Sequence, residues 1–191
     1  MKAGETMGNF LTQKVRLEQC HERRYWHTLD NELFQDDDGT IYIVPRHFKT
    51  DNYTIPCWIA WLGGSPVDFR VEPSHLHDTV CDSGHAVFTT LTKDELLEKG
   101  YYRFSEHRQL WVCENIPEEY LAQKKLTKKQ CNDLLWRALC ATNTPLINRI
   151  IIRVGVFFNF AYVWYEITKK FKPFDLSRFY DKDYWEELVP I

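Results

Sequence analysis

The stretch from Thr127 to Leu139 constrains the fold of this chain most. Thr127-Lys128-Lys129-Gln130 is a capping box, in which threonine hydroxyl and glutamine amide reciprocally satisfy backbone N–H groups that a first helical turn leaves open. Behind it, Cys131, Leu134, Leu135, Ala138 and Leu139 recur at helical spacing, so one apolar stripe must face a core. The opposite side carries Asp133, Trp136 and Cys140, too apolar to be wholly solvated, which predicts a helix packed on two sides with Asp133 in the second contact. Thr144-Pro145 then opens another helix, with threonine as N-cap and proline in the first turn, running toward Lys170.

That following stretch is the most apolar of the chain, yet Asn148, Arg149, Arg153 and Asn159 interrupt it. A lipid-facing span would bury each arginine at a cost of roughly 2.5–3.5 kcal/mol at the bilayer centre, so a packed helix is expected instead of a transmembrane one. Upstream, Asp36-Asp37-Asp38-Gly39 is a turn signal followed by the β-branched and aromatic run Thr40 to Val44, which predicts a hairpin. Pro56 at a first helical position predicts a short helix from Cys57 to Leu62, stopped by Gly63-Gly64. Thr92 to Glu95 reads as a second capping box, while Leu110 to Cys113 reads as a strand or an extended insert. The chain of 191 residues suits one domain over residues 1–172, with an insertion around residues 86–120. The expected class is α+β and mostly helical, with a small N-terminal antiparallel sheet near residues 30–46 on a core of three or more helices.

Residues 173–191 form a C-terminal strap bearing Phe174, Phe179, Tyr180, Tyr184, Trp185 and Leu188 among acids. Its apolar side chains need cover, either from the chain's own helices or from a partner. A net charge of −3 is not that of a dedicated nucleic-acid binder, whose affinity rests on neutralising phosphates. The Lys124-Lys125 and Lys128-Lys129 run reads as a solvated helix entry. Six cysteines lack any C-x-x-C pair, which points to reduced core residues, and the first residues carry no apolar run of signal-peptide length.

Chemistry concentrates between Ser74 and His85, which hold three histidines, two aspartates and one cysteine. On a helix, His77, Cys81 and His85 would share one stripe, with Ser74, Asp78 and Asp82 on the next. The adjacent pair His77-Asp78 can offer an imidazole nitrogen and a carboxylate oxygen to one divalent ion if the chain supplies a further ligand.

With these pieces in order, the chain resembles the phage and bacterial family catalogued as domain of unknown function 1353. The resemblance rests on Phe48-Lys49-Thr50-Asp51-Asn52-Tyr53-Thr54-Ile55-Pro56, on Leu76-His77-Asp78, on Asn132-Asp133-Leu134-Leu135 and, loosely, on Arg153-Val154-Gly155, across residues 40–165. Thr54 stands where the family has Ser, Cys57 where an Arg often follows the proline, and the stretch from Ala86 to Tyr120 is longer than the family pattern. The resemblance implies a phage or prophage origin, hence host cytoplasm or virion, and directs attention to Asp51, His77, Asp78 and Asp133.

Two functional readings follow. In the first the protein is a phage-encoded, metal-dependent hydrolase-like protein acting on a phosphoester or a cell-wall amide. His77, Asp78 and Asp133 would hold Zn, Mn or Mg, Asp51 would orient water, and His47 is the candidate first histidine of an HD-like order. In the second it is a non-catalytic virion structural or phage accessory protein. There the polar residues knit loop to helices, Asp133 pairs with Arg149 or Arg153, and the aromatic tail binds phage structural subunits or a second copy.

Overall fold

The computed structural model describes residues 8–12, 14–19, 25–50, 71–157 and 172–188. In chain order the strands are β1 (Asn9–Phe10), β2 (Leu17–Gln19), β3 (Trp26–Thr28), β4 (Glu32–Gln35), β5 (Ile41–Val44) and β6 (Lys49–Thr50), followed by helix α1 (Glu72–Ser83). Then come β7 (His85–Thr89), α2 (Lys93–Glu98), β8 (Tyr102–Ser105), β9 (Leu110–Cys113), β10 (Leu121–Lys125), α3 (Lys128–Ala141), α4 (Leu146–Phe157) and α5 (Lys182–Leu188). Among the described residues no helix is long and apolar enough to cross a membrane.

The centre of the molecule is a sheet. β1, β4, β5, β7 and β10 lie side by side in that order, every pair antiparallel. A second sheet has the order β2-β3-β6, and β8 with β9 forms a separate hairpin. The expectation of a mostly helical domain with a small N-terminal sheet is therefore corrected: the predicted hairpin is real, but β7 and β10 extend it into a five-stranded sheet. The physical reason lies in β10, whose Leu-Ala-Gln-Lys-Lys sequence has little intrinsic strand preference and is held extended by pairing with β7. The lysine run is divided: Lys124 and Lys125 end strand β10, Lys128 and Lys129 enter α3 as expected, and Lys124 lies over the rings of Tyr42 and Phe88.

Local signals fix the joints. The β4–β5 turn closes through Gly39 at φ 85°, a left-handed conformation that glycine adopts without steric cost. Both capping boxes are formed, at Thr92 with Glu95 and at Thr127 with Gln130. α1 begins two residues before Ser74 and ends at Gly84, whose φ of 67° turns the chain directly into β7. His85 is thereby in a strand, off the stripe that His77 and Cys81 share, and its Nδ1 lies 2.8 Å from the Ser83 carbonyl.

α1 packs on β5 and β7 and against α3, which also reaches β1. Cys131, Leu134 and Ala138 of α3 join the main core with Leu33, Phe34, Ile43, Leu76 and Val80, whereas Leu135 and Leu139 turn to Ile152 of α4. The predicted two-sided helix is thus observed, and Cys113, Cys131 and Cys140 are buried thiols. Arg137 on α3 donates two hydrogen bonds to Asp36 at 2.6 and 2.8 Å, fastening the hairpin turn to the helix layer. In residues 86–120, β7 belongs to the central sheet, and the excursion proper comprises α2 and the β8–β9 hairpin. The described part of the predicted helix from Thr144 is α4, and the predicted helix from Cys57 to Leu62 lies outside the described residues.

The C-terminal strap is ordered on the chain's own core. Phe174, Phe179, Tyr184 and Trp185 are buried, with Trp185 edge-on to Phe48 and its indole N–H donating to the Phe179 carbonyl at 2.9 Å. The Gln123 side chain accepts from the Phe174 N–H and donates to its carbonyl, both at 2.8 Å, so one amide on β10 grips the strap as a neighbouring strand would.

Candidate functional site

α1 sets the sequence-nominated histidine and aspartate against the end of β6. Thr50 donates its hydroxyl proton to Asp78 Oδ2 at 3.0 Å, across 28 residues of chain. His77 Nδ1 lies 3.6 Å from Asp78 Oδ1, beyond hydrogen-bonding reach, and His77 Nε2 lies 3.3 Å from Cys81 Sγ one turn further on. His77 is buried, Asp78 is partly open and Cys81 is half-buried.

Cys81 beside His77 has the composition of a nucleophile–base pair, but its place argues against that chemistry. It sits in the last turn of α1, where the helix macrodipole presents its negative end and disfavours a thiolate. The N–H groups of the helix around it are engaged within the helix and so are not themselves oxyanion donors.

Asp133 is elsewhere. It lies on the side of α3 facing α4, with its Oδ1 3.6 Å from Arg153 Nη2. Arg153 also lies over the Trp136 ring at 4.9 Å, and Arg149 donates to Cys140 Sγ at 2.8 Å. The second side of α3 is therefore a seam to α4, and Asp133 does not join His77 and Asp78. Among the described residues no group of three or more His, Cys, Asp or Glu side chains lies close enough to hold one metal ion. His47 is held by its backbone beside β3: its N–H donates to the Thr28 carbonyl at 2.7 Å and its own carbonyl lies 3.0 Å from His27 Nδ1. Asp51, the fourth nominated residue, lies outside the described residues.

Two charged clusters were not anticipated. The first is Glu32 of β4 against His75 of α1, Oε1 to Nδ1 at 2.7 Å, with both side chains almost wholly buried. Burial pushes the Glu32 carboxyl above its ordinary range, and the imidazole only partly opposes this. Burial alone would lower His75, but the Glu32 carboxylate, its hydrogen bond, Asp78 and Glu72 outweigh it and hold the imidazole protonated above its usual range. Glu32 Oε2 has no hydrogen-bond partner among the described residues. The second cluster is Glu186 of α5, which meets His27 Nε2 at 2.8 Å and Lys49 Nζ at 3.2 Å and so ties the strap to the β2-β3-β6 sheet. Burial works against the Glu186 carboxylate, yet Lys49 and His27 hold it below its ordinary range. No local pattern links Glu32 to His75 or Glu186 to Lys49, so only the fold reveals them. No protein-family model matches the chain, and no curated protein or solved structure matches it.

Proposed function

We propose that this chain is a non-catalytic accessory protein, of the phage kind that its resemblance implies, and that it works by attachment through the α3–α4 hairpin. The observation that carries this reading is where the nominated polar residues spend their charge. Asp133 binds Arg153 across the hairpin, and Asp78 takes the Thr50 hydroxyl. Those are the partners of a brace within the chain, one an ion pair at the surface and the other a part-buried hydrogen bond. The aromatic strap covers the chain's own core, and among the described residues α4 has the most apolar surface to offer a partner: Leu146, Ile147, Ile150 and Val154 are all exposed.

The competing reading is metal-assisted hydrolysis around His77 and Asp78, favoured by the partial exposure of Asp78. Calorimetric titration of the full chain with Zn, Mn and Mg separates the two, alongside phosphodiesterase and amidase assays of the protein and of His77→Ala. The attachment reading expects no stoichiometric metal binding and an effect of His77→Ala on stability alone. A bound divalent ion together with a hydrolytic rate that His77→Ala abolishes would overturn it.

A further inference from the structure

Charge in this protein is unevenly placed. The net charge is −3, yet from Leu121 to Phe157 there are seven lysines and arginines against the single acid Asp133. Of these, Arg137 is bound to Asp36 and Lys124 lies over Tyr42 and Phe88, whereas Lys129, Arg149 and Arg153 lie on or beside α4 and could meet an anionic partner. In the same segment four aliphatic side chains are exposed on one helix. On α4, Leu146 is 56% exposed, Ile147 68%, Ile150 49% and Val154 44%. Ile147, Ile150 and Val154 stand three and four residues apart, on one stripe of the helix.

The rest of the surface fits that ridge. α4 carries Arg149 and Arg153 and no acid from Leu146 to Phe157. Beside it, α3 presents Lys129 on the stripe that continues through Asp133 and Trp136, the same stripe that meets Arg153. Lys129 is exposed, and Trp136 is half-buried. An aliphatic ridge flanked by cations, with a tryptophan at its border, is the composition of a helix that lies in the headgroup plane of a bilayer.

We infer that the α3–α4 hairpin docks on an anionic lipid surface, with Ile147, Ile150 and Val154 inserted among the acyl chains and Arg153 and Lys129 at the headgroups. This rests on the attachment reading and names its partner. A second copy of the chain is the poorer occupant, because pairing two such ridges sets Arg149 and Arg153 against the like charges of the other copy. A nucleic acid would reward the cations but gain nothing from four exposed aliphatics.

The test uses the full chain with phosphatidylcholine vesicles, with and without phosphatidylglycerol, read by co-sedimentation. Binding is expected only to the phosphatidylglycerol vesicles and should weaken as salt is added. The double variant Ile147→Asp/Ile150→Asp should bind at least about tenfold more weakly, and Lys129→Glu severalfold more weakly. Both alter exposed side chains, so their melting temperatures should match the parent's and thereby separate lost docking from lost folding. Absence of binding to anionic vesicles overturns the inference, as does binding that survives the double variant. Sedimentation velocity of the same samples then tells the two failures apart. A dimer split by Ile147→Asp/Ile150→Asp would leave the attachment reading standing with a second copy as occupant, whereas a monomer indifferent to the double variant in both assays would remove the ridge from any attachment role.

Discussion

Glu32 Oε1 and His75 Nδ1 meet at 2.7 Å in the interior, joining the second strand of the central sheet to the helix that crosses it. Removing one partner leaves the other charge buried and unmatched, which typically costs about 3–5 kcal/mol, while replacing both by apolar groups can be close to neutral. Glu32→Leu alone and His75→Leu alone are therefore expected to destabilise the protein strongly. The double variant should recover most of that loss in urea unfolding, because it also removes the unpartnered Glu32 Oε2. Additive losses in the double variant would show that the pair does not act as a unit.

The same pair sets the alkaline side of the stability profile. His75 is raised above its ordinary 6.5, so its contribution is complete below that value and is lost as pH climbs through the raised one. Glu32 is raised above its ordinary 4.5, so the folded state again holds its proton longer than the unfolded state, with the same sign. The pair's contribution should therefore start to fall as pH rises past 4.5, through Glu32, and fall further above 6.5, through His75, and His75→Leu/Glu32→Leu should flatten that limb. On the acid side, Glu186 is held below its ordinary value, so the contribution of its contacts with Lys49 and His27 should fade as pH falls through the lowered one. Chemical denaturation across a pH series measures both limbs.

Asp78 gives the most direct view of the brace. If its bond to Thr50 is structural, Thr50→Val and Asp78→Asn should each lose on the order of 1–2 kcal/mol, as hydrogen bonds to charged groups do, and the double variant should lose little more than either alone. The check is a double-mutant cycle in urea. A coupling energy of zero would mean that Asp78 acts on something other than Thr50.

How much of this was legible beforehand divides along sequence distance. The capping boxes at Thr92 and Thr127, the turn at Gly39 and the two-sided character of α3 are local patterns, written within a few residues, and they form as read. The breadth of the sheet is not local. β7 pairs with β5 and β10 over long stretches of intervening chain, and β10 carries two lysines, a glutamine and an alanine in place of β-branched or aromatic strand formers. For the site the same limit applies: the Ser74–His85 crowding is a local pattern, but that His75 meets Glu32 depends on β4 and that Asp78 meets Thr50 depends on β6. Asp133 illustrates the cost, since its alternative partner Arg153, twenty residues on, was as visible in the sequence as the metal reading that competed with it.

The strap offers the sharpest test of packing. Trp185 is 1% exposed and touches the rings of Phe48, Phe174, Phe179 and Tyr184, while its N–H is satisfied by the Phe179 carbonyl. Truncating a tryptophan in such a setting costs about 3–5 kcal/mol through lost burial and the cavity left behind. Trp185→Ala should therefore lower the denaturation midpoint of the isolated protein markedly, and removal of residues 173–191 should do so at least as strongly. Trp185→Phe should recover most of the packing but not the hydrogen bond, placing it between the parent and Trp185→Ala. Because Phe48 lies on the loop between β5 and β6, the loss should also spread to the corner held by His27, Lys49 and Glu186, where hydrogen exchange at β3 and β6 would quicken. Unchanged stability on losing the strap would mean that these aromatics are not part of the core they cover.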